Sequence, residues 1–447
     1  MVVRTGQIEI NDQFRRALEL MEGGEGHLFI TGKAGTGKST LLEYFRETTQ
    51  KKIAVLAPTG VAAVNIRGQT IHSFFGFRPD ITPDQAKKLA RRAIRQEEAK
   101  LYQEIDLVVI DEISMVRADL FDSVDIFLRT VRKKIRLPFG GLRMALIGDL
   151  YQLPPVVTPA EKTIFSGHYK SPYFFDSQVF AQMKVDLVEL ETVYRQKDER
   201  FVEILNAVRN STLTEDHLEV LNRRFDPEFH PAEGFSVLLT ATNDRAAAIN
   251  AERLTAIEGK GISFQGIIDG EFEKKALPTG TVLELKPGAQ VMLLNNDFQD
   301  RWVNGTMGII TFLPREAGDP IGVELENGRQ EEVLPHQWEI FRYGFDTDKK
   351  ALTTETIGTF TQYPLRLAWA ITIHKSQGKT FDTVVIDAVR MFAPGQMYVA
   401  LSRCRSLNGL VLTRPLVASH AFADRRVITF MTGYREMETA FPQLQLT

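Results

Sequence analysis

The sequence predicts an α/β protein: two units built on parallel sheets, with a small antiparallel barrel inserted into the second. Three observations carry the core of that prediction. Short runs rich in Val, Ile and Leu recur at 27–30, 53–57, 107–110 and 144–147, and again at 237–239, 384–386 and 410–412. Runs of this length, closed by polar or Gly-rich turns and separated by helical stretches, read as strands buried on both faces of a parallel sheet. Residues 272–341 differ in texture, with short strand-like runs at 282–285, 290–294, 306–312, 321–325 and 332–334 set off by Pro-Gly, Asn-Gly and Gly-Asp turns. That pattern reads as a small antiparallel barrel inserted into the second α/β unit.

Composition bounds the reading. A chain of 447 residues with 43% hydrophobic and 25% charged residues is ordinary globular material, sized for about three domains. Lys and Arg number 54 against 57 Asp and Glu, a net charge of −3, so any contact with nucleic acid comes from local patches and not from bulk charge. The single cysteine, Cys404, excludes an internal disulfide and a cysteine-based zinc site. No apolar run approaches the ~18 residues of a membrane span and the N-terminus shows no signal-peptide pattern, so no membrane partner is expected. The expected address is cytoplasmic, nucleoid-associated if the source is bacterial.

The stretch 83–98 reads as a helix started by Pro83. At 100° per residue, Lys87, Lys88, Arg91, Arg92 and Arg95 share one arc, and Ala86, Leu89, Ala90, Ala93 and Ile94 fill the opposite one. The basic arc is either a solvated face or a surface that meets nucleic acid or a partner.

Chemistry enters after the first apolar run, where Gly32-Lys33-Ala34-Gly35-Thr36-Gly37-Lys38-Ser39-Thr40 leads into a helical segment. This is Gly-x-x-x-x-Gly-Lys-Ser in a strand–loop–helix context. The glycines let successive N–H groups turn around a phosphate and the helix N-terminus adds positive potential; Lys38 reaches the β- and γ-phosphates, and Ser39 offers its hydroxyl to Mg²⁺. The run 107–110 carries Asp111 and Glu112 to the end of a neighbouring strand. Asp111 suits metal coordination and Glu112 suits the base that activates the attacking water. Gln152, after the run 144–147, is placed to bond a γ-phosphate or the lytic water.

Taken together with Tyr194-Arg195-Gln196, Thr372-Ile373-His374-Lys375-Ser376-Gln377-Gly378 and Tyr398-Val399-Ala400-Leu401-Ser402-Arg403, these motifs resemble, in order, those of superfamily-one DNA helicases of the RecD-like branch. The nearest resemblance is to the petite-integration-frequency (PIF) helicase family, over about 13–412. The resemblance implies an ATP- and Mg²⁺-dependent DNA helicase moving five-prime to three-prime on single-stranded DNA, in replication, repair or recombination. It implies two RecA-like parallel-sheet P-loop NTPase domains, the first at 1–184 with a small helical wedge insertion near 73–104 and the second at 185–270 and 345–447, with a small SH3-like β-barrel inserted at 271–344. It further implies that Arg195 and Arg403 address the γ-phosphate across the cleft between the domains, that Gln13 reads adenine, and that Gly378 lies at the nucleotide. In the family the stretch after Arg195-Gln196 commonly reaches an Arg-x-Gly turn, where this chain has Arg209-Asn210-Ser211.

A translocase holds a strand through its phosphates and by stacking on side-chain planes. The candidates are Pro58, Thr59 and Gly60 after the second run, His72 and Phe74 in the mixed segment that follows, and Thr372, His374, Lys375 and Ser376 in the second domain. Asn296, Asn304 and Gly305 in the barrel resemble family positions near the strand. Single-stranded DNA and DNA forks are the expected partners, for a protein expected to be monomeric with pairing on DNA left open. Two alternatives remain at this point: a nucleotide-switched DNA-binding ATPase, and a helicase–nuclease subunit, for which no convincing carboxylate–lysine cluster is visible.

Overall fold

The computed structural model describes residues 10–157, 167–196, 198–229, 234–316, 318–387 and 393–440. They divide into a first unit of 10–193, 341–356 and 423–440, and a second of 194–340 and 357–422.

The first unit is built on a six-stranded sheet in the order β3-β2-β4-β5-β1-β6. Its strands are β1 (His27–Gly32), β2 (Ile53–Ala57), β3 (Gln69–Thr70), β4 (Leu107–Ile110), β5 (Arg143–Ile147) and β6 (Val185–Leu190). Every pairing is parallel. The four central strands are the four apolar runs of the first half, and the helices on the sheet explain their burial. Helices α1 (Asp12–Gly23) and α2 (Lys38–Thr48) lay Phe14, Met21, Leu41 and Phe45 over Leu28, Ile30, Val55, Val109 and Ile147.

Three helices follow β2: the short α3 (Gly60–Asn65) and α4 (Ile71–Phe75) and, in the region expected to form the wedge, α5 (Pro83–Arg95). The start of α5 is fixed by Pro83 and a capping box between Thr82 and Gln85. It buries Ala86, Ala90 and Ala93 against α7 (Ala118–Val131), which comes after α6 (Ala99–Glu104), and leaves all five predicted cations exposed.

Two boundaries differ from the sequence expectation. The first domain does not end at 184, because β6 pairs with β1 from His27↔Val185 through Gly32↔Leu190. As an edge strand with Asp186 and Glu189 in it, β6 shows no continuous apolar run. Nor do 345–447 all belong to the second unit. The C-terminal helix Arg425–Ala440 packs on the first, where Phe430 stacks on Phe175 at 4.1 Å and Arg435 meets Glu189 at 2.7 Å.

The second unit carries a parallel sheet in the order β18-β7-β19-β20. Its first strand is β7 (Val237–Thr240); before the chain completes that sheet it forms an all-β insert. The insert comprises β8 (Ile262–Gln265), β9 (Ile267–Gly270), β10 (Val282–Leu285), β11 (Gln290–Leu293), β12 (Met307–Phe312), β13 (Ile321–Leu325), β14 (Gln330–Val333), β15 (His336–Asp346), β16 (Ala351–Gln362) and β17 (Leu365–Leu367). β18 (Ala370–Thr372), β19 (Val384–Ile386) and β20 (Leu410–Leu412) then close the parallel sheet.

The insert's main sheet is antiparallel, β14-β13-β12-β11-β17, over a core of Leu285, Val291, Leu293, Ile310, Val323, Val333 and Leu365. It is wider than 271–344, since β8 pairs with β10 and β17 with β11. The tip of the β15–β16 hairpin, 341–356, counts with the first unit. There Tyr343 Oη accepts from the Val55 N–H at 3.2 Å and the Tyr343 N–H donates to Gln69 Oε1 at 3.1 Å.

Candidate nucleotide and nucleic-acid sites

The carboxyl edge of the first sheet gathers the phosphate chemistry, as expected of an open α/β sheet. Gly32 closes β1, and a Cβ there would lie 2.5 Å from the Leu190 carbonyl oxygen, so only glycine fits. Gly35 and Gly37 turn the loop with φ of 82° and 86°, which favours glycine. Thr36 is buried and its Oγ1 donates to the Lys33 carbonyl at 2.9 Å, while Ala34 is buried beside it. Lys38 opens α2 and its ammonium donates to the carbonyls of Gly32 (2.7 Å) and Lys33 (2.9 Å), which holds the charge over the loop. Ser39 and Thr40 follow in the helix's first turn, Ser39 exposed.

Asp111 closes β4. That strand lies one place removed from β1, with β5 between them. Even so, Asp111 feels Lys38. Burial pushes its carboxyl above the usual range, against the opposing pull of the Glu112 N–H, which bonds its Oδ1 at 2.9 Å, and of the Lys38 charge. Glu112 has φ 51°, an uncommon conformation for a residue with a side chain and of the kind that clusters at functional sites. On β5's edge, Asp149 is buried and accepts from Gln152 Nε2 at 3.2 Å and the Tyr151 N–H at 3.2 Å, so it fixes Gln152. Sequence reasoning singled out Gln152 and passed over Asp149, though the Gly148-Asp149 pair was its only signal.

The residues fit a nucleotide and its metal. The hydroxyls of Thr31 and Ser114, at the ends of β1 and of the Asp111-Glu112 turn, are buried and lack a hydrogen-bond partner, leaving polar capacity at this edge. Gln13 accepts from the Glu191 N–H and donates to Glu191 Oε2, both at 2.9 Å, so its amide is engaged by the chain just after β6.

In the second unit three motifs are tied together. Arg195 donates to the carbonyls of Ser402 (3.2 Å) and Gly378 (3.3 Å), and burial draws its pKa below the ordinary arginine value. Gln196 Nε2 donates to the carbonyls of Ser402 and Cys404, both at 3.0 Å. Arg403 is 1% exposed and donates to the carbonyls of Val399 (2.9 Å), Ser376 (3.3 Å) and Lys379 (3.4 Å) and to Ser402 Oγ (2.8 Å). The two arginines therefore share one backbone network, centred on Ser402, with the Gly378 turn. The turn after Arg209 places its left-handed residue at Ser211, φ 56°, and not at Asn210, whose φ is −91°. Ser211 thus stands where the family's glycine would.

The DNA candidates sort by accessibility. Thr59 caps α3, accepting from the Ala62 N–H at 3.3 Å, with Pro58 and Gly60 half-buried beside it. His72 is half-buried in α4, but Phe74 is 4% exposed, its ring centroid 4.8 Å from Phe75 and 5.4 Å from Tyr102. A base cannot reach it, and its expected place on the strand's track is corrected to core packing. Thr372 and Ser376 are likewise internal. Thr372 Oγ1 accepts from the Lys375 N–H at 3.3 Å and Ser376 Oγ donates to the Ile373 carbonyl at 2.7 Å, so both shape the turn that presents His374 and exposed Lys375. Asn296 and Asn304 are joined, Asn296 Oδ1 accepting from the Asn304 N–H at 2.8 Å, and Asn304 Oδ1 accepts from Lys379 Nζ.

Sequence reasoning singled out Lys375 but missed Lys379 and Arg366, which belong with it. Burial first, then the Arg366 charge, lowers the Lys379 pKa to about 7; burial takes Arg366 itself to about 10, and burial and Arg366 also lower Lys375. Nothing in the sequence announces that the two lysines of one turn meet the arginine of β17.

This is the site of a P-loop ATPase, with a network of two arginines in the second unit. Residues 7–219 match the model of the PIF1-like helicase family, and 367–411 that of the UvrD-like helicase C-terminal domain. The ATP-dependent DNA helicase Pif1 of Bdellovibrio bacteriovorus is 34% identical over 417 residues, covering 91% of this chain and 88% of its own length. The human ATP-dependent DNA helicase PIF1 is 36% identical over 391 residues, which is 86% of this chain but 57% of the human protein. The crystal structure of Bacteroides sp. Pif1 in complex with ADP-AlF4 has a TM-score of 0.88 at 35% identity, covering 96% of this chain and 98% of that one. Bacteroides Pif1 bound to single-stranded DNA has a TM-score of 0.67 at 34% identity over 96% of this chain and 98% of that one. The chain belongs to the PIF1-like helicase family.

Proposed function

We infer that this protein is an ATP-driven DNA helicase that moves five-prime to three-prime on single-stranded DNA and separates the duplex at forks. The observation that carries this reading is the joint presence of a formed P-loop with Asp111, Glu112 and Gln152 at one sheet edge, and of Arg195 and Arg403 on one network in the other unit. Mg²⁺ would be held by Ser39 and Asp111, and when bound it would neutralise phosphate charge. Lys38 leaves its loop carbonyls for the β- and γ-phosphates, Glu112 takes the proton of the attacking water, and Gln152, held by Asp149, orients that water. Arg195 and Arg403 stabilise the charge of the transferring phosphoryl group. The relatives' printed names and the ssDNA complex support the nucleic-acid side of the reading.

The test is Glu112→Gln. Hydrolysis in the presence of single-stranded DNA should fall by orders of magnitude while binding of a fluorescent ATP analogue persists. Parental hydrolysis by this variant would remove Glu112 from the role of base. A parental protein that binds DNA in response to ATP yet separates no strands would be a nucleotide-switched binding module instead.

A further inference from the structure

We propose that Phe298 is a base-stacking contact for single-stranded DNA, held out by a rigid loop whose other end reaches a phosphate-binding cluster of Lys375, Lys379 and Arg366. This deepens the helicase reading and rests on it.

The connection between β11 and β12, residues 294–306, is too long for a simple hairpin turn and is tied on both sides of Phe298. At its centre the buried Asp297 carboxylate accepts from the N–H groups of Gln299 (2.9 Å) and Arg301 (3.3 Å), and from Arg301 Nε (2.9 Å) and Nη2 (2.7 Å). The Arg301 guanidinium lies 4.4 Å from the Trp302 ring centroid, and Trp302 Nε1 donates to Asn295 Oδ1 at 3.1 Å. The Asp297 N–H donates to the Trp302 carbonyl at 3.0 Å. Within this frame the Phe298 side chain is 86% exposed. A phenyl ring left in water forgoes the burial that usually places it in a core. The loop's bonds hold the backbone on both sides of Phe298, and from that frame the ring stands out in solvent.

What it is presented to follows from its neighbours. Asn296, two residues before Phe298, bonds Asn304, and Asn304 accepts from Lys379, whose side chain runs over Gly305. Among the described residues no carboxylate pairs with Lys379, Lys375 or Arg366, although the three depress one another or are depressed by burial. The missing counter-charge is an anion, and an exposed aromatic plane on the same loop asks for a flat apolar face beside that anion. A single strand offers both in each nucleotide, with no sequence preference, because every base has a π-face. A duplex offers phosphates, but its bases are already stacked.

The experiment measures binding of the full-length parental protein, Phe298→Ala, Phe298→Leu and Phe298→Trp to a fluorescein-labelled oligothymidylate, and to a strand of the same length made wholly of abasic sites. Alanine should weaken oligothymidylate binding by roughly 5- to 150-fold, the worth of one stacked base, and leave abasic-strand binding at the parental value. Tryptophan should restore affinity and leucine should not. Parental affinity in the alanine variant, rescue by leucine, or equal loss on the abasic strand would each overturn the proposal. A parental protein with no single-strand binding would instead overturn the helicase reading, so the two failures are distinct. Unchanged melting temperatures confirm that the variants fold, as expected for so exposed a side chain.

Discussion

Two groups of cations in this molecule have similar chemistry and opposite surroundings. On α5, Lys87, Lys88, Arg91, Arg92 and Arg95 stand in water on a helix whose other face is made of small buried alanines. Arg92 donates to Gln96 at 2.8 Å, and among the described residues the remaining four make no ion pair. In the second unit Arg366 and Lys379 are half-buried and the exposed Lys375 lies within reach of the Arg366 charge; burial lowers the pKa of all three, and the Arg366 charge lowers those of the two lysines further. The first group offers exposed cations, which would bind phosphates by releasing counterions. In the second, Lys379, with its pKa lowered to about 7, is short of full charge and gains most when an anion arrives. One surface therefore responds to salt, and the other to pH.

The largest effect should come from α5. It carries no aromatic side chain, so it fits phosphates without bases, as on the duplex ahead of a fork. Replacing Lys87, Arg91 and Arg95 with Gln keeps helix propensity and should lower the salt slope of forked-DNA binding by roughly 0.9 per lost contact, about 2.7 for three. The salt slope on an untailed single strand should stay parental. An unaltered slope on forks would make α5 a solvated face and erase its side of the comparison.

A smaller effect should come from pH. Lys379 has a pKa near 7, well under the ordinary lysine value, so in the DNA-free protein its amine is largely neutral above that pH. The groups around it are Arg366 on β17, Lys375 in its own turn, Asn304 at its amine and the Arg403 guanidinium on its carbonyl. A phosphate favours the charged form, so binding takes up a proton above pH 7. Affinity for single-stranded DNA should accordingly fall as pH rises from 7 to 9, by up to about tenfold per unit, and level off below 7. Lys379→Gln should flatten this dependence. A parental affinity independent of pH across that window would show that the cluster does not hold phosphate.

Much of this was legible in the sequence, for identifiable reasons. The apolar runs at 53–57, 107–110, 384–386 and 410–412 coincide with strands because a parallel sheet buried on both faces leaves no room for polar residues. The P-loop and the Asp111-Glu112 pair were readable because backbone geometry dictates glycines and a strand end dictates where the acids go. β6 was hidden because an edge strand alternates, and the hairpin β15–β16 because its exposed residues carry no core pattern. Phe74, Thr372 and Ser376 were placed by motif membership, and the structure shows that a motif also contains residues that hold the others in place. The meeting of Arg366 and Lys379 is tertiary, and no local pattern encodes it.

The central claim is directional motion driven by ATP. Its most direct measurement is strand separation of otherwise identical duplexes bearing either a five-prime or a three-prime single-stranded tail, with ATP and magnesium and with Glu112→Gln as the inactive control. The account predicts unwinding of the five-prime-tailed duplex by the parental protein and none by the variant. Unwinding of the three-prime-tailed duplex alone, or of neither, would contradict it.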